Sequence, residues 1–214
     1  MKIAVIGATG MAGSAIYKEA LQRGHDVTAI GRSAAKAREK LGAGARVLEK
    51  DAFALTREEL AVFDVIVNSY ATAPDLAHLH VDLAARLVAL LRGTDKPRLV
   101  FILGAGSLLA GPDKHLFVED IKHIPGSDAW FNIPVQQLKQ LKFLREVENV
   151  NWTGISPSAR FEPGSDKGHK LGGDELLVSG DGQSHVTSGT MAVAVLNEIE
   201  NPAYVRQRFT VADL

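Results

Sequence analysis

Gly7, Gly10 and Gly13 stand three residues apart in GATGMAG, between an apolar run at residues 3–6 and a stretch with helical spacing (Met11, Ala15, Ile16, Ala20). A strand that turns into a helix through small residues leaves backbone N–H groups free at the positive end of the helix dipole, which suits a phosphate. In this spacing Gly7 permits the tight turn, Gly10 lets a pyrophosphate approach the backbone, and Gly13 lets the helix pack closely on the sheet. A second candidate lies at the end of the next apolar run, Gly31-Arg32-Ser33. A site for NAD places an acid there, about 20 residues past the glycines, to hold the ribose hydroxyls. Asp26 has roughly that separation but sits at the opposite end of its run, about 13 Å away at ~3.3 Å per residue. Arg32 instead offers a fork of donors to a 2′-phosphate, and Ser33 adds a hydroxyl. The expected ligand is therefore NADP(H), with NAD(H) as the alternative.

These loops need elements to hold them. Short apolar runs at residues 3–6, 26–30, 47–48, 64–68, 98–103, 152–155 and 208–211 alternate with helical stretches at 11–23, 34–41, 55–62, 76–91, 134–149 and 186–200. Thr56 and Glu59 have the spacing of a capping box, and Pro134 suits the first position of its helix. Residues 104–133 and 156–185 are rich in glycine and aromatics and are expected to be irregular insertions on the substrate side. The alternation predicts an α/β fold over residues 1–214: one domain, with a doubly wound, Rossmann-type parallel sheet. Ligands of such sheets sit beyond the carboxyl ends of the strands, so the loops beginning at Gly7, Gly31, Asp51, Asn68, Gly104 and Ser156 carry the functional weight.

Composition excludes several classes. The chain of 214 residues has no cysteine and a formal net charge of −1. There is no thiolate chemistry, and no basic excess for nucleic acid or an anionic membrane. No apolar stretch approaches the roughly 20 residues of a membrane span, and the N-terminus reads as a strand and not an export signal, so a cytoplasmic location is expected. His78 and His80 are two apart and diverge on a helix, the other histidines lack ligand spacing, and no metal site is expected. Ser107 lies in GAGSLLA, without the elbow of a serine hydrolase.

The blocks KIAVIGATGMAGSAI, GHDVTAIGR, RLVFILGAGSL, NWTGISPSARFEPG and NEIENPAYVRQRFTV resemble the atypical short-chain dehydrogenase/reductases, in particular the NADH-flavin reductase-like group related to flavin and biliverdin reductases and to NmrA-type regulators. The resemblance implies roles position by position. Gly7, Thr9, Gly10 and Met11 would border the pyrophosphate and Arg32 the adenosine phosphate. Asp51 and Ala52 would meet the adenine, and Asn68, Ser69 and Tyr70 the ribose. Gly104, Ser107, Ser156 and Pro157 would line the nicotinamide end. Asp51 and Asn68 suit local capping and turn chemistry equally well.

One departure bears on the reaction. The wider superfamily delivers a proton with a Tyr-x-x-x-Lys pair, but Tyr17, Tyr70 and Tyr204 are followed at that spacing by Leu21, Pro74 and Arg208. Lys139 and Lys142 are preceded by Val135 and Leu138. This argues against carbonyl reduction and epimerisation, which need a placed proton carrier. It leaves reduction of a flavin or similar planar acceptor, with Ser107 and Ser156 as positioning groups, or a regulator that binds the nucleotide without turnover. Phe117, Trp130, Phe131 and Phe161, with Arg160, are candidates to meet a planar ring or simply to pack a long loop.

Overall fold

The computed structural model describes residues 1–214. Twelve strands form: β1 (Lys2–Ile6), β2 (Asp26–Gly31), β3 (Arg46–Glu49), β4 (Val65–Asn68), β5 (Thr94–Ile102), β6 (Leu109–Ala110), β7 (His115–Leu116), β8 (Val150–Pro157), β9 (Arg160–Glu162), β10 (His169–Gly172), β11 (His185–Thr187) and β12 (Gln207–Asp213). Seven helices accompany them: α1 (Met11–Gln22), α2 (Ala34–Leu41), α3 (Arg57–Leu60), α4 (Leu79–Leu91), α5 (Phe117–Ile121), α6 (Asn132–Arg145) and α7 (Ser188–Glu200).

Eight strands make one sheet in the order β10-β12-β8-β5-β4-β1-β2-β3. All are parallel except β10, which runs antiparallel to β12 at the edge. The strand order reverses between β1 and β4, so the crevice there is the expected ligand site of a doubly wound sheet. Both faces are covered. Gly13, Ile16, Tyr17 and Ala20 repeat at helical spacing and turn α1 toward one face, where it packs with α7. Leu83, Leu87, Leu91, Leu141 and Leu144 of α4 and α6 cover the other. The central strands are buried on both sides, which is why β4 reads as the unbroken run VIVN.

Several expectations are corrected in detail. Pro134 is the third residue of α6 and not the first. The first four N–H groups of a helix lack partners, so proline costs no hydrogen bond at either place. That helix ends at Arg145, four residues early, and α3 keeps only Arg57–Leu60, with its Thr56–Glu59 capping box formed. The segment 156–185 is not irregular throughout. It contains β9 and β10, and β11 follows at its end. The short, polar HKLG sequence of β10 gave no apolar signal because it is an edge strand.

Candidate functional site

The glycine loop closes on itself at the switch point. Gly7 has φ +74°, and a Cβ there would stand 2.5 Å from the Ser69 carbonyl. A Cβ on Gly13 would fall 2.2 Å from the Gly7 carbonyl and 2.6 Å from Ser69 Oγ. The Ser69 hydroxyl donates to the Ile6 carbonyl at 2.7 Å, so the end of β4 is stitched to the end of β1 at this knot. Gly10, the residue before α1, has ordinary extended backbone and donates its N–H to the Gly7 carbonyl at 3.0 Å. The N–H groups of Met11, Ala12 and Gly13 find no backbone acceptor and point from the first turn of a 12-residue helix. Thr9 and Met11 are exposed at its rim. A cradle that only glycine fits, opening onto free amides, suits a pyrophosphate.

The next loops lie beside it. Arg32 is exposed immediately after β2. Lys50 is held by Glu59 and Arg46 by Asp26, while Arg32 has no carboxylate partner. Asp26 begins β2, at the far end from the loop. Ser33 caps α2, its hydroxyl accepting from Lys36 N–H at 3.3 Å. Asp51 caps a short turn by accepting from Phe53 N–H at 2.8 Å, with Ala52 behind it. Asn68 Oδ1 accepts from Tyr70 N–H at 3.1 Å. Asp51 and Asn68 thus perform the local tasks their types suggested. Asp51 remains exposed, with acceptor capacity to spare. The Tyr70 ring stands edge-on between Phe53 (6.1 Å) and the buried His80 (5.8 Å). Burial pushes the His80 pKa down to about 4, which keeps that imidazole neutral at pH 7.

The loops after β5 and β8, where the resemblance puts the nicotinamide, meet a residue that sequence reasoning did not assign. Gly104 follows β5 with the Gln137 side chain against its backbone, and Pro157 ends β8, buried. Ser107 and Ser156 are brought together there by the Arg208 guanidinium, whose Nη1 donates to both hydroxyls, at 3.2 and 3.0 Å. Its Nε and Nη2 donate to Asp174 at 2.9 and 2.6 Å, and Nη2 also reaches the Ser107 carbonyl at 3.4 Å. Asp174 in turn accepts two bonds from Arg145, each 2.8 Å. Burial by itself would raise the Asp174 pKa, but the Arg208 hydrogen bond and charge, with Arg145, hold it below the usual carboxylate value. Ser156 is fully buried and Ser107 nearly so, at 6% exposure. Lys139 and Lys142 are exposed on α6.

Elsewhere, His115 lies between Asp113 (2.7 Å) and Asp120 (3.0 Å), which push its pKa up to about 9. Buried Asp213 accepts from Thr187 N–H and contacts His185 at 3.2 Å, fastening β11 to the end of β12. No group of three or more His, Asp or Glu side chains is placed to hold a metal ion. A cleft of about 650 Å³ lined by Tyr17, His25 and Arg46 lies at the amino end of β2, away from all the candidate residues. No helix is long and apolar enough to cross a membrane.

A doubly wound sheet with a glycine cradle and free amides at its switch point defines a Rossmann-type dinucleotide-binding protein. Residues 7–202 match the family described as NAD(P)H-binding, and the chain belongs to it. It is 38% identical to the uncharacterised Bacillus subtilis protein YwnB over 213 residues, 99% of this chain and 98% of that one. A Lactobacillus casei protein of known crystal structure superposes with TM-score 0.94 at 42% identity, covering 100% of this chain and 99% of the other. The Streptococcus pneumoniae protein SP1627, described as a candidate NADH-flavin reductase, superposes with TM-score 0.89 at 31% identity over all of both chains.

Proposed function

We propose that the protein is an NADPH-dependent reductase of a flavin or a similar planar acceptor. The observation that carries this is the pairing of an open pyrophosphate cradle with a buried cluster at Ser107 whose hydrogen-bond partners are Arg208 and the Gly104 carbonyl, with no tyrosine among them. The likeness to SP1627 supports the acceptor class. Arg32, exposed and without a carboxylate partner, supports the phosphate-bearing nucleotide. Bound NADPH supplies two electrons and a proton as hydride, and water returns the acceptor's second proton. A flavin spreads the resulting charge over its ring system, so no strong acid is required in the transition state. The protein's part is orientation: the first turn of α1 fixes the phosphates, Tyr70 walls the crevice, and Ser107 offers a hydroxyl to the acceptor.

Two measurements test this reading. NADPH oxidation is followed optically with FMN, FAD, riboflavin, biliverdin and quinones. Saturable turnover with one of them is expected, whereas tight binding without turnover would identify a nucleotide sensor instead. In Arg32→Ala, NADPH affinity is expected to fall about 10- to 150-fold, the worth of one charge-assisted hydrogen bond at roughly 1.5–3 kcal/mol, while NADH affinity holds. Equal losses for both nucleotides would remove Arg32 from the phosphate site.

A further inference from the structure

Arg208 is unusual in the fold. It lies in a buried strand, in register with Gly154, and its side chain has no solvent exposure. All five of its N–H donors are committed: one to Ser107 Oγ, one to Ser156 Oγ, one to the Ser107 carbonyl and two to Asp174. The other buried arginine, Arg98, leaves its Nε without a partner. A guanidinium so completely specified is held in one orientation, which lysine, a point charge on a flexible stem, does not reproduce. With Arg145 and Arg208 sharing the single carboxylate of Asp174, the three groups carry a net positive charge.

This arrangement has a consequence for the hydroxyls. An oxygen accepting from Arg208 cannot turn its own proton toward that nitrogen. The Ser107 proton is therefore directed away from the guanidinium, where it meets only the Gly104 carbonyl at 3.2 Å. That is long for an O–H···O bond, which prefers about 2.7–2.8 Å, so a better acceptor displaces it at little cost.

We propose that Arg208 is a positioning residue that holds Ser107 as a one-directional hydrogen-bond donor toward the acceptor. The site thereby favours planar acceptors that become anions on gaining hydride, over cationic ones that become neutral. Ser156, fully buried, is the second anchor of the guanidinium and does not itself touch the acceptor. The inference rests on the reductase reading for its context, but it makes a claim about charge that does not require turnover.

The test uses wild type, Ser107→Ala, Arg208→Lys and the double variant. The first readout is single-turnover NADPH oxidation with the best acceptor of the panel. The second is the ionisation of 4-nitrophenol bound to the NADP⁺ complex, read from the visible absorbance of its phenolate. In wild type the bound probe is expected to ionise at lower pH than in free solution. Arg208→Lys and Ser107→Ala should each abolish most of that shift and slow single turnover about tenfold, as for one charge-assisted hydrogen bond. The double variant should be no slower than Ser107→Ala, because Arg208 acts through that hydroxyl. If Arg208→Lys does not fold, Ser156→Ala carries the test. It frees one anchor without touching the charge, and it should slow the protein severalfold in wild type and not at all in the Ser107→Ala background. Additive losses in the double variant, or a probe that ionises alike in all variants or is not bound as phenolate by wild type, overturn the proposal. A shifted probe without NADPH oxidation by any acceptor upholds Arg208 and overturns the reductase reading alone.

Discussion

A Cβ on Gly10 would stand 3.3 Å from the Gly7 carbonyl, a contact that a small shift relieves, whereas one on Gly13 would fall 2.2 Å from that same oxygen. The two positions should therefore separate binding from folding. Gly10→Val is expected to lose NADPH binding in calorimetric titration while its circular dichroism melt is little changed. Gly13→Ala is expected to lower the melting temperature as well, by about 5 °C for an overpacking cost of ~1–3 kcal/mol. Undiminished binding in Gly10→Val would rule out this loop as the phosphate site. The histidines make a second test at this scale. His80 should titrate near 4 and His115 near 9 by NMR. Between its unfolded value of 6.5 and about 4, His80 takes up a proton only in the unfolded chain, so stability is lost as pH falls through that window. His115 has the opposite sign. Its contribution is complete below 6.5 and is lost as pH rises toward 9. A His80→Phe variant that loses as much stability on acidification as wild type would contradict the first assignment. The tight turn at Gly7 and Gly13, the exposed place of Arg32 after β2 and the cap made by Ser33 were legible in the sequence, because each follows from position in a strand-loop-helix unit. Arg208 was not, since its partners lie 34 to 101 residues away. Its signal was a charge at the head of the run RFTVA, which a buried strand tolerates only when paired.

Among the elements, the seven parallel strands of the main sheet and the longer helices could be read directly, because α1 shows its burial at spacing 13, 16, 17, 20 and strands such as β1 and β4 carry near-continuous apolar runs. What could not be read are pieces whose pairing is decided by tertiary contact. The strand β10 and the segment after it are held by Asp174, which binds β12 through Arg208 and α6 through Arg145. That segment is also pinned by backbone bonds to the loop that carries Ser107: Leu109 donates to the Asp174 carbonyl at 2.8 Å and Leu176 donates to the Leu109 carbonyl at 2.9 Å. Asp174→Ala removes the side-chain anchor and leaves a buried guanidinium short of its counter-charge. Hydrogen exchange should accelerate in residues 173–178 and around Ser107, with β1 and β4 unchanged. Protection that is identical to wild type would show that the backbone bonds alone hold the segment.

Across the whole molecule, charge is distributed by end. At the amino ends of the strands, Arg98 of β5 and Glu198 of α7 form a buried ion pair. Glu198 also accepts from the N–H groups of Ala203 and Tyr204, at 3.0–3.2 Å. Glu198→Gln leaves the Arg98 charge buried and unpaired, which typically costs about 3–5 kcal/mol. The melting temperature is expected to fall by roughly 10 °C at ~2–4 °C per kcal/mol for a chain of this size. NADPH affinity, measured below the new melting point, should be unchanged, because the pair is at the end opposite the glycine cradle. A parallel loss of affinity would show that the two ends communicate. The shared carboxylate at the ligand end differs in one respect. Both arms end on the half-exposed Asp174 carboxylate, but Arg145 is itself half exposed, at 47%, whereas the Arg208 side chain has no exposure. An ion pair between exposed side chains contributes little and is weakened further by salt, whereas a charge held in the interior is screened much less. Rising ionic strength is therefore expected to weaken the hold of Asp174 on α6 before its hold on Arg208, so the segment slackens at its outer side while the donor at Ser107 stays in place.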